Sequence, residues 1–192
     1  MRNVIGFLGF ILALYGIVSA IAYSNITWYS YFIVGGACFF YYLNSKLKNK
    51  SIFKLTDNKK EVFKIYPIYL ILGILIEFVG RFLFHFWEYP KFQFTDEVVH
   101  VYLIGYPFTF FYLYEFFTLV NSKVQNLGLS ITSTTIINAF LIEFINTFAG
   151  EWKYRIPYIT LEILEVNILV VIGWVILALI PLAVKRVLTS KT

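Results

Sequence analysis

The sequence has little charge, and this shortage decides the class of protein. Asp, Glu, Lys and Arg together make up 14% of the 192 residues, whereas soluble domains carry about a quarter. Hydrophobic residues make up 59%, and the mean hydropathy is +0.74. This composition predicts an integral membrane protein. At roughly 20 apolar residues per crossing, the chain has room for about six membrane-spanning helices and for no soluble domain.

Cysteine and histidine are almost absent. Cys38 is alone within an apolar run, which excludes a disulfide framework and a cysteine metal site. His85 and His100 are too few for the histidine-rich centres of membrane desaturases. The chain also lacks the Gly-x-Gly-x-x-Gly, P-loop and serine-nucleophile patterns. We therefore predict no cofactor and no metal, although one ion held by both histidines with Glu97 or Glu143 is sterically conceivable.

Six apolar runs are present, and each is continuous rather than alternating, which favours α-helices over a β-barrel. The runs are Val4–Tyr23, Trp28–Leu43, Val62–Trp87, Val98–Val120, Ile131–Ala149 and Ile163–Val184. We predict an all-α, polytopic membrane protein with six transmembrane helices. Residues 1–192 form a single transmembrane domain, in which residues 1–61 are a first hairpin and a basic cytoplasmic loop.

Lysine and arginine are concentrated on one side of this arrangement. Basic residues near helix ends stay on the cytoplasmic side, and the side that includes Arg2, the 46–64 loop, Lys123 and the 185–191 tail holds most of them. We predict a cell-membrane protein with both termini cytoplasmic. The net charge of +5 is mainly a topology feature, with attraction to anionic lipid as the alternative. Nucleic acid is not an expected partner, because no stacking aromatics accompany the lysines outside the bilayer.

One phrase occurs twice. Residues 76–100 read IEFVGRFLFHFWEYPKFQFTDEVVH, and residues 142–165 read IEFINTFAGEWKYRIPYITLEILE. In both, Glu-Phe is followed by Trp, by Tyr two residues later, by Pro and then by acids that open the next helix. We predict a parallel tandem repeat of helical hairpins, with helices 3 and 4 at residues 62–121 and helices 5 and 6 at residues 130–185.

Ionisable side chains within these helices are the candidates for function. A charge near the bilayer centre costs about 2.5–3.5 kcal/mol on insertion scales, so it normally faces the bundle interior and has a partner. Glu77, Arg81 and His85 recur every four residues on one stripe, and Glu77 can neutralise Arg81 within its own helix. Glu143 shares a small, polar stripe with Asn146 and has no evident partner within its own helix.

The aromatic residues of the phrase allow two interpretations. Trp87, Tyr89, Trp152 and Tyr154 fit a belt at the membrane interface. They equally fit the lid of an apolar cavity that binds a lipophilic molecule. In that case the hairpins bring polar side chains together beneath the lid, in the outer half of the membrane. The side chains expected to converge there are Glu77, Arg81, His85, Glu97, His100, Glu143, Asn146 and Glu165.

The stretch FWEYPKFQFTDEVVHVYLIGYPFTFFYLYE, residues 86–115, resembles the integral-membrane lycopene cyclase type of carotenoid enzyme. Asp96 and Glu97 match the paired acids that open a helix in that family, Pro107 matches its mid-helix proline, and Tyr114 with Glu115 matches its closing pair. The chain has Asp-Glu where the family usually has Glu-Glu, and its acids lie about two residues further from the proline.

Two hypotheses of function follow. The resemblance implies a non-redox acid/base enzyme, a cyclase or isomerase, that protonates an isoprenoid alkene in an apolar cavity. Glu97 is then the first choice of acid, and Asp96, Glu77, Glu143 and Glu165 are candidates to stabilise charge. Substrate contacts are expected from Arg81, His85, His100, Asn146, Trp87, Trp152, Tyr89 and Tyr154. The second hypothesis is a small membrane protein that binds a lipid or a partner helix, or serves as a carrier subunit, and an oligomer is compatible with both.

Overall fold

The computed structural model describes residues 2–49, 51–54, 56, 59–156, 161–163 and 166–189. As predicted, the fold is all-α with six long helices. They are α1 (Arg2–Tyr23), α2 (Trp28–Lys46), α3 (Lys59–Leu83), α4 (Phe94–Val124), α5 (Leu127–Ala149) and α6 (Ile168–Thr189). Two of them contain π-helical turns, at Phe78–Leu83 in α3 and at Glu97–Gly105 in α4.

Five of the six helices in the described part of the chain are long and apolar enough to cross a membrane, which identifies an integral membrane protein. The other is α2, which is rich in tyrosine and glycine and carries the fully buried Asn44. It packs between α1 and α4. Its buried polar side chains, Ser30 and Asn44, are therefore covered by protein.

The centre of the bundle is α4, which contacts α2, α3, α5 and α6. Helix α1 lies along α2 at very short range. A Cβ atom placed on Gly35 would lie 2.4 Å from the backbone nitrogen of Ala13, and one on Gly9 would lie 2.8 Å from the carbonyl oxygen of Gly35. Small residues thus let the two backbones touch, as is common between helices in lipid.

Four short strands lie at one end of the bundle, which we call the strand end. They are β1 (Trp87–Glu88), β2 (Lys153–Tyr154), β3 (Glu162–Ile163) and β4 (Val166–Asn167). The predicted apolar runs did not reveal them, and helix bounds differ accordingly. The third run was predicted to stay helical to Trp87, but α3 ends at Leu83, and α6 begins at Ile168 rather than Ile163. The parallel repeat of the two hairpins stays a prediction.

The opposite end of the bundle, which we call the basic end, is stabilised by hydrogen bonds to Glu115. Its Oε1 accepts hydrogen bonds from Ser51 Oγ at 2.6 Å and from the backbone N–H groups of Ile52 and Phe53 at 3.0 and 2.9 Å. Its Oε2 accepts from Asn44 Nδ2 at 2.7 Å. Oε1 therefore holds the segment after α2 and Oε2 holds the last turns of α2 itself, so Glu115 has a structural role.

Candidate functional site

A cavity of about 650 Å³ lies at the strand end, between α3, α4 and α6. Its side walls are aliphatic, with Leu72, Leu75, Ile76 and Val79 from α3, and Ile172, Ile176, Leu177 and Ile180 from α6. Several of these side chains on both helices are exposed, among them Leu75 and Ile176. The gap between α3 and α6 therefore presents apolar surface to the surrounding lipid.

The first carboxylate of the duplicated phrase, Glu77, lies behind one aromatic wall of this cavity. Its Oε1 accepts hydrogen bonds from Trp87 Nε1 at 3.1 Å, Tyr89 Oη at 2.7 Å and Tyr106 Oη at 2.9 Å. Glu77 is fully buried, and its Oε2 has no hydrogen-bond partner among the described residues. The three donor residues line the cavity, whereas Glu77 does not.

Two glycines make room for these rings on α3. Gly73 lies four residues before Glu77, and Gly80 lies three residues after it, within the π-helical turn. A Cβ on Gly73 would lie 2.3 Å from Tyr106 Cβ, and one on Gly80 would lie 1.7 Å from Trp87 Cη2. Only glycine lets both rings approach close enough to donate to Glu77.

Glu143 on α5 repeats this arrangement with a second set of rings. Its Oε1 accepts from Tyr154 Oη at 2.7 Å and from Trp174 Nε1 at 2.9 Å, and its Oε2 accepts from Trp152 Nε1 at 3.1 Å. Again the three donors line the cavity and the carboxylate lies behind them. Each buried carboxyl therefore accepts three hydrogen bonds from ring N–H or O–H groups, which fix the orientation of those rings.

The two halves of the phrase meet directly. Strands β1 and β2 pair antiparallel, with Trp87 opposite Tyr154 and Glu88 opposite Lys153. The Arg155 side chain adds an ion pair with Glu88 at 2.8 Å. This short pairing joins the ring donors of Glu77 to those of Glu143, so that they form one continuous wall.

Glu151 is the carboxyl that lines the cavity, and sequence analysis missed it. It follows Gly150, which ends α5 with φ +61°. Asn146 Oδ1 accepts from the backbone N–H of Glu151 at 2.9 Å, and Asn146 Nδ2 donates to the Trp152 carbonyl at 2.9 Å. The predicted ligand contact Asn146 thus positions the backbone of Glu151 and Trp152.

The environment of Glu151 is unusual for a carboxyl outside the helices. Only 1% of it is accessible, and its Oε2 has no hydrogen-bond partner in the described part of the chain. Burial raises the pKa of Glu151 well above its ordinary value, and the backbone N–H of Tyr29, in the first turn of α2, acts in the opposite direction. The acid therefore holds its proton to a higher pH than a solvated glutamate.

Glu97, the first choice of catalytic acid, is bound to Arg81. The pair is bidentate, with Nη1 to Oε2 at 2.7 Å and Nη2 to Oε1 at 2.9 Å. The alternative expectation, that Arg81 pairs with Glu77 on its own stripe, is wrong. The π-helical turn from Phe78 to Leu83 breaks the four-residue spacing on which that pairing relied.

The other predicted site residues separate into two groups. His100 lines the cavity, with its Nδ1 2.9 Å from Ser30 Oγ. His85 is exposed after the end of α3, and Asp96 caps the first turn of α4 by accepting from the Gln93 backbone N–H at 3.0 Å. Glu165 lies outside the described residues. Within the described chain, no three His, Cys, Asp or Glu side chains are grouped to hold a metal ion.

Comparison with known proteins gives no family. The chain matches no protein-family model, no curated protein and no solved structure. The resemblance to the lycopene cyclase type therefore stays a hypothesis. Of the residues that carry it, Asp96, Glu97 and Glu115 have the partners described above, and none of the three lines the cavity.

Proposed function

We propose that the protein binds a lipophilic small molecule of the membrane in the cavity between α3 and α6. The main support is the cavity itself, whose volume of about 650 Å³ lies in the range of small-molecule sites, about 300–1,000 Å³. Its lining is aliphatic and aromatic, with few polar groups. We further propose a cell-membrane location with both termini cytoplasmic, which places the cavity in the outer half of the bilayer.

Filling the cavity tests this proposal. Gly173 of α6 lines the cavity, and a Cβ placed on it would meet no atom within 4 Å. We expect Gly173→Phe to place its ring in the cavity and to remove most of the lipophilic molecule that copurifies with the wild type, with little change in thermal unfolding. The measurement is mass spectrometry of lipids extracted from equal amounts of detergent-purified protein.

The matched control is Leu179→Phe, because Leu179 is an exposed residue of the same helix and does not line the cavity. It should leave the copurified molecule unchanged. Loss of the molecule in the control, or its full retention in Gly173→Phe, would place the binding site elsewhere.

Acid/base conversion of the bound molecule is the second candidate, and Glu151 favours it. A shielded carboxyl that keeps its proton can donate it to an alkene carbon, whose π electrons form the new C–H bond and leave a carbocation. Attack by a second double bond closes a ring, and return of a proton to the Glu151 carboxylate restores an alkene. The reaction is an isomerisation and needs no oxidant, in agreement with the cyclase or isomerase hypothesis.

For this candidate we expect Glu151→Gln to lower conversion by about 10²–10⁴-fold, the usual contribution of a positioned acid, while the protein still accumulates. The wild type and the variant are expressed in a lycopene-accumulating host, and the pigments are compared by chromatography. Glu162→Gln, an exposed acid at the strand end, is the control. If the wild type leaves lycopene unchanged, cyclisation of that substrate is excluded and the binding proposal stands alone.

A further inference from the structure

The aromatic rings that line the cavity are hydrogen-bonded to carboxyl groups buried behind them. Six rings, from Trp87, Tyr89, Tyr106, Trp152, Tyr154 and Trp174, donate their polar hydrogens to Glu77 or Glu143. Because an N–H or O–H that donates to a carboxyl oxygen shifts electron density onto its ring, the ring face becomes a better partner for positive charge. The polar hydrogens point at the buried carboxylates, and the cavity is left with ring surfaces.

Acidic side chains around the cavity outnumber the basic ones that lack an ion-pair partner. Glu77 and Glu143 lie one ring behind the wall, Glu151 lies in it, and none of the three has an ion-pair partner among the described residues. The nearby guanidinium of Arg81, 5.1 Å from the Tyr89 ring centre, is neutralised by Glu97. Lys91 Nζ donates to the carbonyl of Ala149 at the end of α5. His100 is the basic side chain among the described lining residues.

We infer that the occupant of this cavity is a lipophilic cation, such as a hydrophobic amine or quaternary ammonium compound. The aromatic wall is its binding surface, and Glu151 is its counter-ion. This inference rests on the proposed binding function and names its ligand class. A hydrophobic cation gains from an apolar cavity and from nearby negative charge, and aromatic faces recognise such cations without hydrogen bonds. A hydrophobic anion of the same shape would lie beside Glu151, with Glu77 and Glu143 one ring behind the wall.

The pH dependence follows from the same geometry. A cation favours the ionised form of Glu151, so binding displaces the proton that burial retains there. Tyr29 of α2 and Tyr89 beyond α3 interact electrostatically with Glu151, His100 of α4 shares the cavity, and Lys91 lies against the end of α5 beside Gly150. Both tyrosines are neutral in the working range, and a charged His100 opposes a cation only at low pH. Cation affinity therefore rises with pH.

Two ions of matched shape and opposite charge test the inference. Tetraphenylphosphonium and tetraphenylborate are added separately to purified protein in a neutral detergent, and binding is followed by intrinsic tryptophan fluorescence. The chain is suited to this, since Trp87, Trp152 and Trp174 line the cavity and Trp28 stacks on Trp152. We expect the cation to bind at least about 100-fold more tightly than the anion, in keeping with opposite-charge attraction at low dielectric.

Three variants test whether the cation binds in this cavity and beside Glu151. Gly173→Phe should abolish the fluorescence change with the cation. Glu151→Gln should weaken cation binding by about tenfold, a typical loss for one nearby charge, and should remove the rise of affinity with pH. A purely structural role of Glu151 would not give that second effect. His100→Asn should bind the cation with the pH dependence of the wild type above about pH 7.

Failure of this inference is distinguishable from failure of the proposed function. The inference is overturned if the borate binds as tightly as the phosphonium ion, or if Glu151→Gln leaves both affinity and pH dependence unchanged. If a neutral isoprenoid alcohol changes the fluorescence in a Gly173→Phe-sensitive manner while the phosphonium ion does not, the cavity binds lipophiles and the cation assignment is wrong.

Discussion

Gly80→Ala is expected to lower the free energy of unfolding by about 3 kcal/mol, as the sum of overpacking and the loss of a buried hydrogen bond. The added methyl group would lie 1.7 Å from the Trp87 ring, so the ring must leave α3. Its displacement breaks the hydrogen bond from the Trp87 indole N–H to Glu77 and the pairing of Trp87 with Tyr154. We therefore expect the same variant to lose its copurified lipophilic molecule. Thermal unfolding in detergent, followed by circular dichroism, measures the first effect.

Gly173→Ala is the matched control, because Gly173 also lines the cavity and has open space where a Cβ would lie. Alanine is the better helix former by about 1 kcal/mol in a helix interior, so this variant should unfold at the wild-type temperature or above it. Wild-type stability of Gly80→Ala would show that Trp87 does not pack on Gly80. In the double variant Gly80→Ala, Trp87→Leu the clash is absent, and part of the lost stability should return.

The six helices could be predicted because each is encoded by a continuous local stretch of the sequence. A continuous apolar run fixes a membrane helix with little reference to the rest of the chain. The prediction that Glu143 lacks a partner within its own helix is confirmed, because it too depended only on the local sequence. Its partners Trp152, Tyr154 and Trp174 are 9, 11 and 31 residues away. Only the folded chain brings them together.

The pairing of Arg81 shows where local geometry misleads. Spacing of four residues predicts contact in an α-helix, but α3 is π-helical from Phe78 to Leu83, and nothing in the apolar pattern marks that change. The partner Glu97 belongs to α4, 16 residues further along the chain. Arg81 therefore forms an ion pair between α3 and α4, instead of the expected pair within α3.

Glu151 was missed because the sequence gives it the surroundings of a solvated loop residue. It follows Gly150 at the end of α5 and stands beside Lys153 and Arg155, which are features of a membrane surface. Its burial comes from packing against the start of α2, more than 120 residues earlier, where Trp28 stacks on Trp152. The available indication was its position beside Trp152 within a duplicated aromatic phrase.

The structure separates two kinds of buried acid. Glu77 and Glu143 are acceptors that hold rings in place, whereas Glu151 lines the cavity with an oxygen that lacks a partner in the described part of the chain. Replacing an acid of the first kind should damage the fold. Replacing one of the second kind should damage function and leave the fold intact.

Glu143→Gln is therefore expected to lower the free energy of unfolding by about 3 kcal/mol, because a buried donor left without an acceptor costs about 1–3 kcal/mol beyond the lost hydrogen bond. The carboxylate accepts on both oxygens, from Tyr154 and Trp174 on Oε1 and from Trp152 on Oε2. A glutamine has one acceptor oxygen, and its NH₂ group would face a buried donor. Thermal unfolding in detergent measures the loss, with Glu162→Gln as the exposed control.

The comparison with Glu151→Gln decides between the two roles. Glu151→Gln removes a buried acid, so its stability should stay within about 1 kcal/mol of the wild type or increase, while cation binding falls. Adding Trp152→Phe to Glu143→Gln removes the donor that the NH₂ group opposes, and part of the lost stability should return. If Glu143→Gln instead unfolds like the wild type, retains its ligand and loses only conversion, then Glu143 is the catalytic acid and Glu151 is not.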